Sequence, residues 1–128
     1  MEINKADHHK NIAIAKNKCT QGKYFEANEI YKKLMKSNYH SLDLISSYAI
    51  FSKQLKNNIL AKQLFYFSIK KFPSFTNSHI LLAEMLRNEN NFDESEKILL
   101  QAKMIEPNNG DIFYNLSLLY KVQQKNKI

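Results

Sequence analysis

Glycine and proline are scarce, with two of each in 128 residues, too few for the turns of a sheet-rich fold. The one Asn-Gly pair, Asn109-Gly110, joins helical patterns instead of alternating strands, so no strands are expected. Cysteine occurs once, as Cys19, which excludes an internal disulfide and agrees with a reducing compartment without demanding one. Long apolar runs are missing too: nothing approaches the roughly 20 residues of a membrane span, and Met1 to Lys10 lacks the apolar centre of a signal peptide. A cytoplasmic location and no membrane partner are the expectation. Arginine is nearly absent, since eighteen of the nineteen basic residues are lysine, a point charge in place of the planar fork that clamps phosphate or reads guanine.

The machinery of chemistry is equally sparse. The histidines are His8, His9, His40 and His79, and none pairs with another or with Cys19 at metal-ligand spacing. No phosphate loop, nucleotide fingerprint or nucleophile elbow occurs. Neither catalysis nor a cofactor is expected, and His79 reads as a packed core histidine.

What is present is periodicity. Over 76–109, Leu82, Ala83 and Leu86 share one helical face; Phe92, Leu99, Ala102 and Ile105 share another before Pro107 stops the run. That is a helix, a turn and a second helix. Thirty-four residues earlier stand Tyr48, Ala49, Ala61, Phe65, Ile69 and Pro73, so the prolines lie one repeat apart. A further step back gives Ile14, Ala15, Gly22, Tyr24, Ala27, Tyr31 and Leu34; one step forward gives Phe113, Leu116, Ser117 and Tyr120. The chain divides into a polar extension over 1–7, repeats over 8–41, 42–75 and 76–109, and the first helix of a fourth repeat over 110–128. Helices are expected to run from about His8 to Thr20, from Tyr24, and from Ser41 as an N-cap, with a seventh from Asp111 to about Val122.

These residues closely resemble the tetratricopeptide repeat family, in which bulky, leucine and small residues on a first helix are followed by small, aromatic and small residues on a second, then proline. The third repeat supplies His79, Leu82, Ala83, Leu86, Ser95, Leu99, Ala102 and Pro107; the second supplies Ile45, Tyr48, Ala49, Ser52, Ala61, Phe65, Ser68 and Pro73. The first departs, with Asn11 at the bulky position, Lys18 at an aromatic one and Tyr39 for proline, as a capping repeat can. The resemblance implies an all-α fold of about seven helices, a right-handed superhelical array of antiparallel pairs whose first helices form a concave wall.

On that wall the resemblance and helical spacing put an apolar strip of Ile12, Ile50, Ile80, Leu81, Tyr114 and Leu118. Beside it run Lys53, Arg87 and Lys121, which recur at one repeat position, with Lys16 at the start of the groove and Asn115 near its end. Such a surface suits an extended or helical peptide carrying acidic residues; the plainer alternative is a solvated charged face. The lysine, asparagine and arginine clamp that holds a C-terminal carboxylate in chaperone-binding members is not matched, since Ile12, Lys16, Ser47, Asn77 and Leu81 occupy its places. The asparagine ladder of longer members is represented by Asn115 alone, with Ala13, Ser47 and Leu81 in the equivalent places.

The function expected is therefore a protein-protein interaction scaffold with a protein or peptide partner. One alternative is the recognition arm of a larger multidomain enzyme, because Lys125 to Ile128 reads as the opening of another repeat's second helix. A homodimer through the C-terminal helix would also cover Phe113, Leu116 and Tyr120. Nucleic-acid binding is the weaker reading: thirteen lysines stand against five acids over 1–71, but several aromatics among them belong to the repeat core. A steep loss of affinity with salt would mark phosphate contact.

Overall fold

A computed structural model describes residues 4–125 as seven α-helices, with no strand among them. They are α1 (Lys5–Thr20), α2 (Tyr24–Met35), α3 (Leu42–Gln54), α4 (Asn58–Lys71), α5 (Asn77–Asn88), α6 (Phe92–Ile105) and α7 (Gly110–Lys125). The three-residue turns 21–23, 55–57 and 89–91 are 34 residues apart, as the repeat requires. At the same point of each turn the backbone is left-handed, at Gly22 (φ 76°), Lys56 (φ 64°) and Asn90 (φ 63°). Glycine and asparagine adopt that conformation cheaply; lysine is strained by it. Ser41 caps α3 by accepting from the Leu44 amide at 3.1 Å, and Asn109 accepts from the Asp111 amide at 2.9 Å. Thr76 does not cap α5 as its position suggests, because its hydroxyl instead donates to the Glu106 carboxylate.

The chain forms two compact units, 1–64 and 65–128, divided within α4. In the first, α2 packs on α1 and α3 around Tyr31, which is 1% exposed. Its ring stacks on Tyr48 at 5.0 Å between centroids and leans on Phe51 at 5.4 Å. In the second unit α5 packs against α6 and α7. Ala83 allows the close approach: the Ser95 hydroxyl on α6 donates to its carbonyl oxygen at 2.7 Å. Ser68 and Ser78 share a buried hydrogen bond of 2.7 Å in the same unit.

The outer helices depart from the sequence reading. Asn4 caps α1 by accepting from the Ala6 amide, so the helix begins three residues before His8. It turns His8, Ile12 and Ala15 inward, while Ile14, expected in the core, is 37% exposed. On α7 the buried residues are Ile112, Asn115, Leu116 and Leu119; Phe113 and Tyr120 are each 45% exposed. Leu116 is therefore covered, contrary to expectation. The α7 helix also continues past Val122 to Lys125, and 126–128 lie outside the described residues. Both shifts have one physical cause: α1 packs on α2 and α3, and α7 on α5 and α6, so each rotates to bury the apolar stripe its own neighbours can cover.

His8 and His79 are buried among these packed faces, and neither Nδ1 has a hydrogen-bond partner. Burial pushes both imidazoles below their ordinary pKa; for His8 the neighbouring His9 and His40 act the same way and Asp43 opposes them. The unfolded chain therefore binds more protons than the folded one below the ordinary histidine value of about 6.5. Stability is complete above that pH and is lost as pH falls toward the lowered folded values. A thermal melt is expected to drop by a few degrees between about pH 7.5 and pH 5.5, and His79→Leu should flatten part of that slope.

Candidate functional site

In the first unit the facing sides of α1 and α3 leave an open cleft of about 430 Å³. Tyr31 and Phe51 form part of its floor, Cys19 and Ile50 its apolar wall, and Lys16, Asp43, Ser46 and Gln54 its polar rim. Helical spacing explains the set: Lys16, Cys19 and Thr20 lie on one side of α1, and Asp43, Ser46, Ser47, Ile50 and Gln54 on one side of α3. Of these, the sequence reading puts Lys16 and Ile50 on the first-helix wall and Ser47 at one of its ligand positions; Tyr31 and Phe51 reach the cleft from the core.

The electrostatics of the cleft differ from a basic flank. Lys16 Nζ donates to Asp43 Oδ1 at 2.8 Å, and the Ser47 hydroxyl donates to the same oxygen at 3.0 Å. Burial would raise the Asp43 carboxyl, but the hydrogen bonds from Lys16 and Ser47 hold it below the usual carboxylate range. The rim is thus a neutralised, hydrogen-bonding edge at physiological pH. Burial pushes the Cys19 thiol up, which leaves it a poor nucleophile.

The other expected site residues fall as follows. Ile12 is corrected: at 1% exposure it is a core residue of the first unit and offers nothing to a ligand. Ile50 is 36% exposed in the cleft, and Lys53 is half-buried farther along α3. In the second unit Ile80, Leu81 and Leu118 are half-buried, Tyr114 is 63% exposed and Lys121 is exposed. Arg87 and Asn115 meet there: Arg87 Nη1 donates to Asn115 Oδ1 at 3.4 Å, and Asn115 Nδ2 donates to the Asp111 carbonyl at 2.8 Å. Asn115 is 8% exposed, so it orients Arg87 more than it presents itself. The sequence gives no sign of that pairing or of Lys16–Asp43, because each partner lies 27 or 28 residues from the other. Among the described residues no group of three or more His, Cys, Asp or Glu side chains could hold a metal ion, and no helix is long and apolar enough to cross a membrane.

No protein-family model matches the sequence, and no curated protein matches it. Solved structures do match the fold. YrrB, a TPR protein described as having an unusual peptide-binding site, superposes with a TM-score of 0.73 at 18% identity over 88% of this chain; the chain spans 58% of that protein's length. The first TPR of Spaghetti (RPAP3), solved with the HSP90 peptide SRMEEVD, gives 0.74 at 21% identity over 96% of this chain and 98% of the other. The type III secretion translocator chaperone SycD of Yersinia enterocolitica gives 0.81 at 17% identity over 99% of this chain and 90% of the other. Paired helices, turns at a 34-residue interval, small residues at the close approaches and these superpositions agree that the chain has the fold of the tetratricopeptide repeat proteins.

Proposed function

We propose that the chain is a protein-interaction scaffold that takes a segment of another protein on the first-helix faces of a unit, foremost between α1 and α3. The observation that carries this is the cleft between α1 and α3, whose apolar floor and satisfied polar rim suit a peptide more than a reaction. Two of the fold neighbours support the reading, one solved with a bound peptide and one described by its peptide-binding site.

The side chains on each unit's first-helix faces support a finer reading of the partner's chemistry. In the first unit Lys16 is neutralised by Asp43, so an uncharged side chain is the better occupant beside Ile50. In the second unit Arg87 and Lys121 stand with Ile80, Leu81, Tyr114 and Leu118, which favours an acidic residue among apolar ones. The places of the carboxylate clamp hold other residues, so an internal segment fits better than a free C-terminus.

Peptides selected from a random display library against the whole chain provide the test. Ile50→Glu should weaken peptides held by the first unit, and Arg87→Glu with Lys121→Glu those held by the second, by about tenfold or more, with the helical circular dichroism unchanged. The salt dependence should be shallow, unlike that of a phosphate-backbone ligand. Unchanged affinity in both variants would defeat the proposal.

A further inference from the structure

The first unit carries a second surface at the end where its turns lie. Phe25, in the first turn of α2, is 78% exposed and Ile59, in the first turn of α4, is 74% exposed. They are 34 residues apart and so occupy one repeat position; in the third repeat that position is the acidic Asp93. Tyr24 and Leu55, beside them, are 50% and 42% exposed. The Tyr24 ring lies 6.4 Å from that of Phe51 in the last turn of α3, and the chain passes from there through Leu55, Lys56 and Asn57 directly into α4. All four apolar side chains therefore share one end of the unit. Isolated apolar side chains on a surface are ordinary, but four large ones at one end of a small unit mark it as a surface for interaction.

Charge distinguishes this unit as well. Residues 1–64 carry eleven lysines against five acids, whereas 65–128 carry eight basic residues against seven acids. Lys23 and Lys56 are exposed in the two turns beside the apolar tips; Glu26, in the first turn of α2, is paired with Lys18 at 2.9 Å and lies in the field of Lys23 as well. Lys56 holds the left-handed position that Gly22 and Asn90 hold in the other repeats, so a cation is kept where the backbone favours another residue. The α2 helix has no side-chain cap, which leaves its first-turn amides directed at the same edge.

We propose that this edge docks on an anionic phospholipid surface, with Phe25 and Ile59 entering the headgroup layer and Lys23 and Lys56 meeting lipid phosphates. Apolar tips that project singly need no complementary shape from a bilayer, and lysine serves a diffuse negative surface well. The sequence reading expects no membrane partner because no span is present; peripheral docking needs no span. This proposal is independent of the peptide cleft, which lies between α1 and α3.

Co-sedimentation of the full chain with vesicles tests it. Binding is expected to phosphatidylcholine vesicles containing about 30% phosphatidylserine and to be lost on pure phosphatidylcholine. Phe25→Ser with Ile59→Ser should weaken it by at least about tenfold. Lys23→Gln with Lys56→Gly should also weaken it, by about fivefold per lysine, and because glycine suits the backbone at position 56 the second pair leaves the fold unstrained. No binding to the anionic vesicles, or binding that survives Phe25→Ser with Ile59→Ser, would overturn the proposal. Self-association in light scattering that the same double variant abolishes would overturn it too, by giving the edge to a second copy of the chain.

Discussion

Replacing Ala83 with phenylalanine should remove the cooperative thermal transition of the second unit. Ala83 is 1% exposed, and its carbonyl oxygen accepts the Ser95 hydroxyl at 2.7 Å, so α5 and α6 come close at this point. A benzyl group is far larger than the buried methyl it would replace. Overpacking a tight core usually costs about 1–3 kcal/mol, and separating two helices also strips the Ser95 hydroxyl of its partner, at about 1–3 kcal/mol more. Against a total stability of about 5–15 kcal/mol for an ordinary domain, that is enough to broaden or abolish the melt. Ala83→Gly separates this cause from helix propensity: it should cost only about 1 kcal/mol and keep a sharp transition. A parent-like melt for Ala83→Phe would mean that the small position is not where the helices meet.

The second large effect is expected at Tyr31. Its ring fills the first unit between Tyr48 and Phe51, and Tyr31→Ala should destabilise by about 3–5 kcal/mol through lost burial and the cavity left behind. Burial pushes the phenol well above its ordinary pKa, so the hydroxyl stays neutral at any physiological pH. Because the packing comes from the ring, Tyr31→Phe should cost less than about 1.5 kcal/mol. Denaturant titration of the two variants gives the comparison. Equal losses would shift the weight from the ring to the hydroxyl. Tyr31 also floors the cleft, so Tyr31→Ala should loosen the binding surface together with the fold.

Ala83 and Tyr31 both lie at repeat positions, the part of the architecture that is legible in sequence. The interior elements are: Ala49 and Ala83, Phe65 and Leu99, and the turns through Gly22, Lys56 and Asn90 all lie at the 34-residue interval. There the pattern presupposes packed neighbours and the structure supplies them. At α1 and α7 the same pattern misleads, because Ile14, Phe113 and Tyr120 sit where an interior repeat would bury them. On α7 Phe113 is left half-exposed, with the Lys103 ammonium of α6 5.5 Å from its ring centroid. The missing information is three-dimensional; no local propensity encodes which neighbours a helix will have.

The candidate site divides in the same way. Spacing identifies Lys16, Cys19, Asp43, Ser46, Ser47 and Ile50 as one wall, and the cleft contains all of them. What spacing does not give is their pairing. Lys16 reads as a groove cation, yet Asp43 neutralises it; Arg87 and Asn115 read as separate contacts, yet they touch. Ile12 fails for a simpler reason. The extension of α1 back to Lys5 and the rotation of its face bring that side chain into the core beside His8 and Ala15.

Hydrogen–deuterium exchange of the chain with and without a display-selected peptide tests the central claim most directly. Binding in the cleft predicts slowed exchange in the last turn of α1 and across α3. Protection confined to α2 and α6, or binding with no protection of α3, would contradict it.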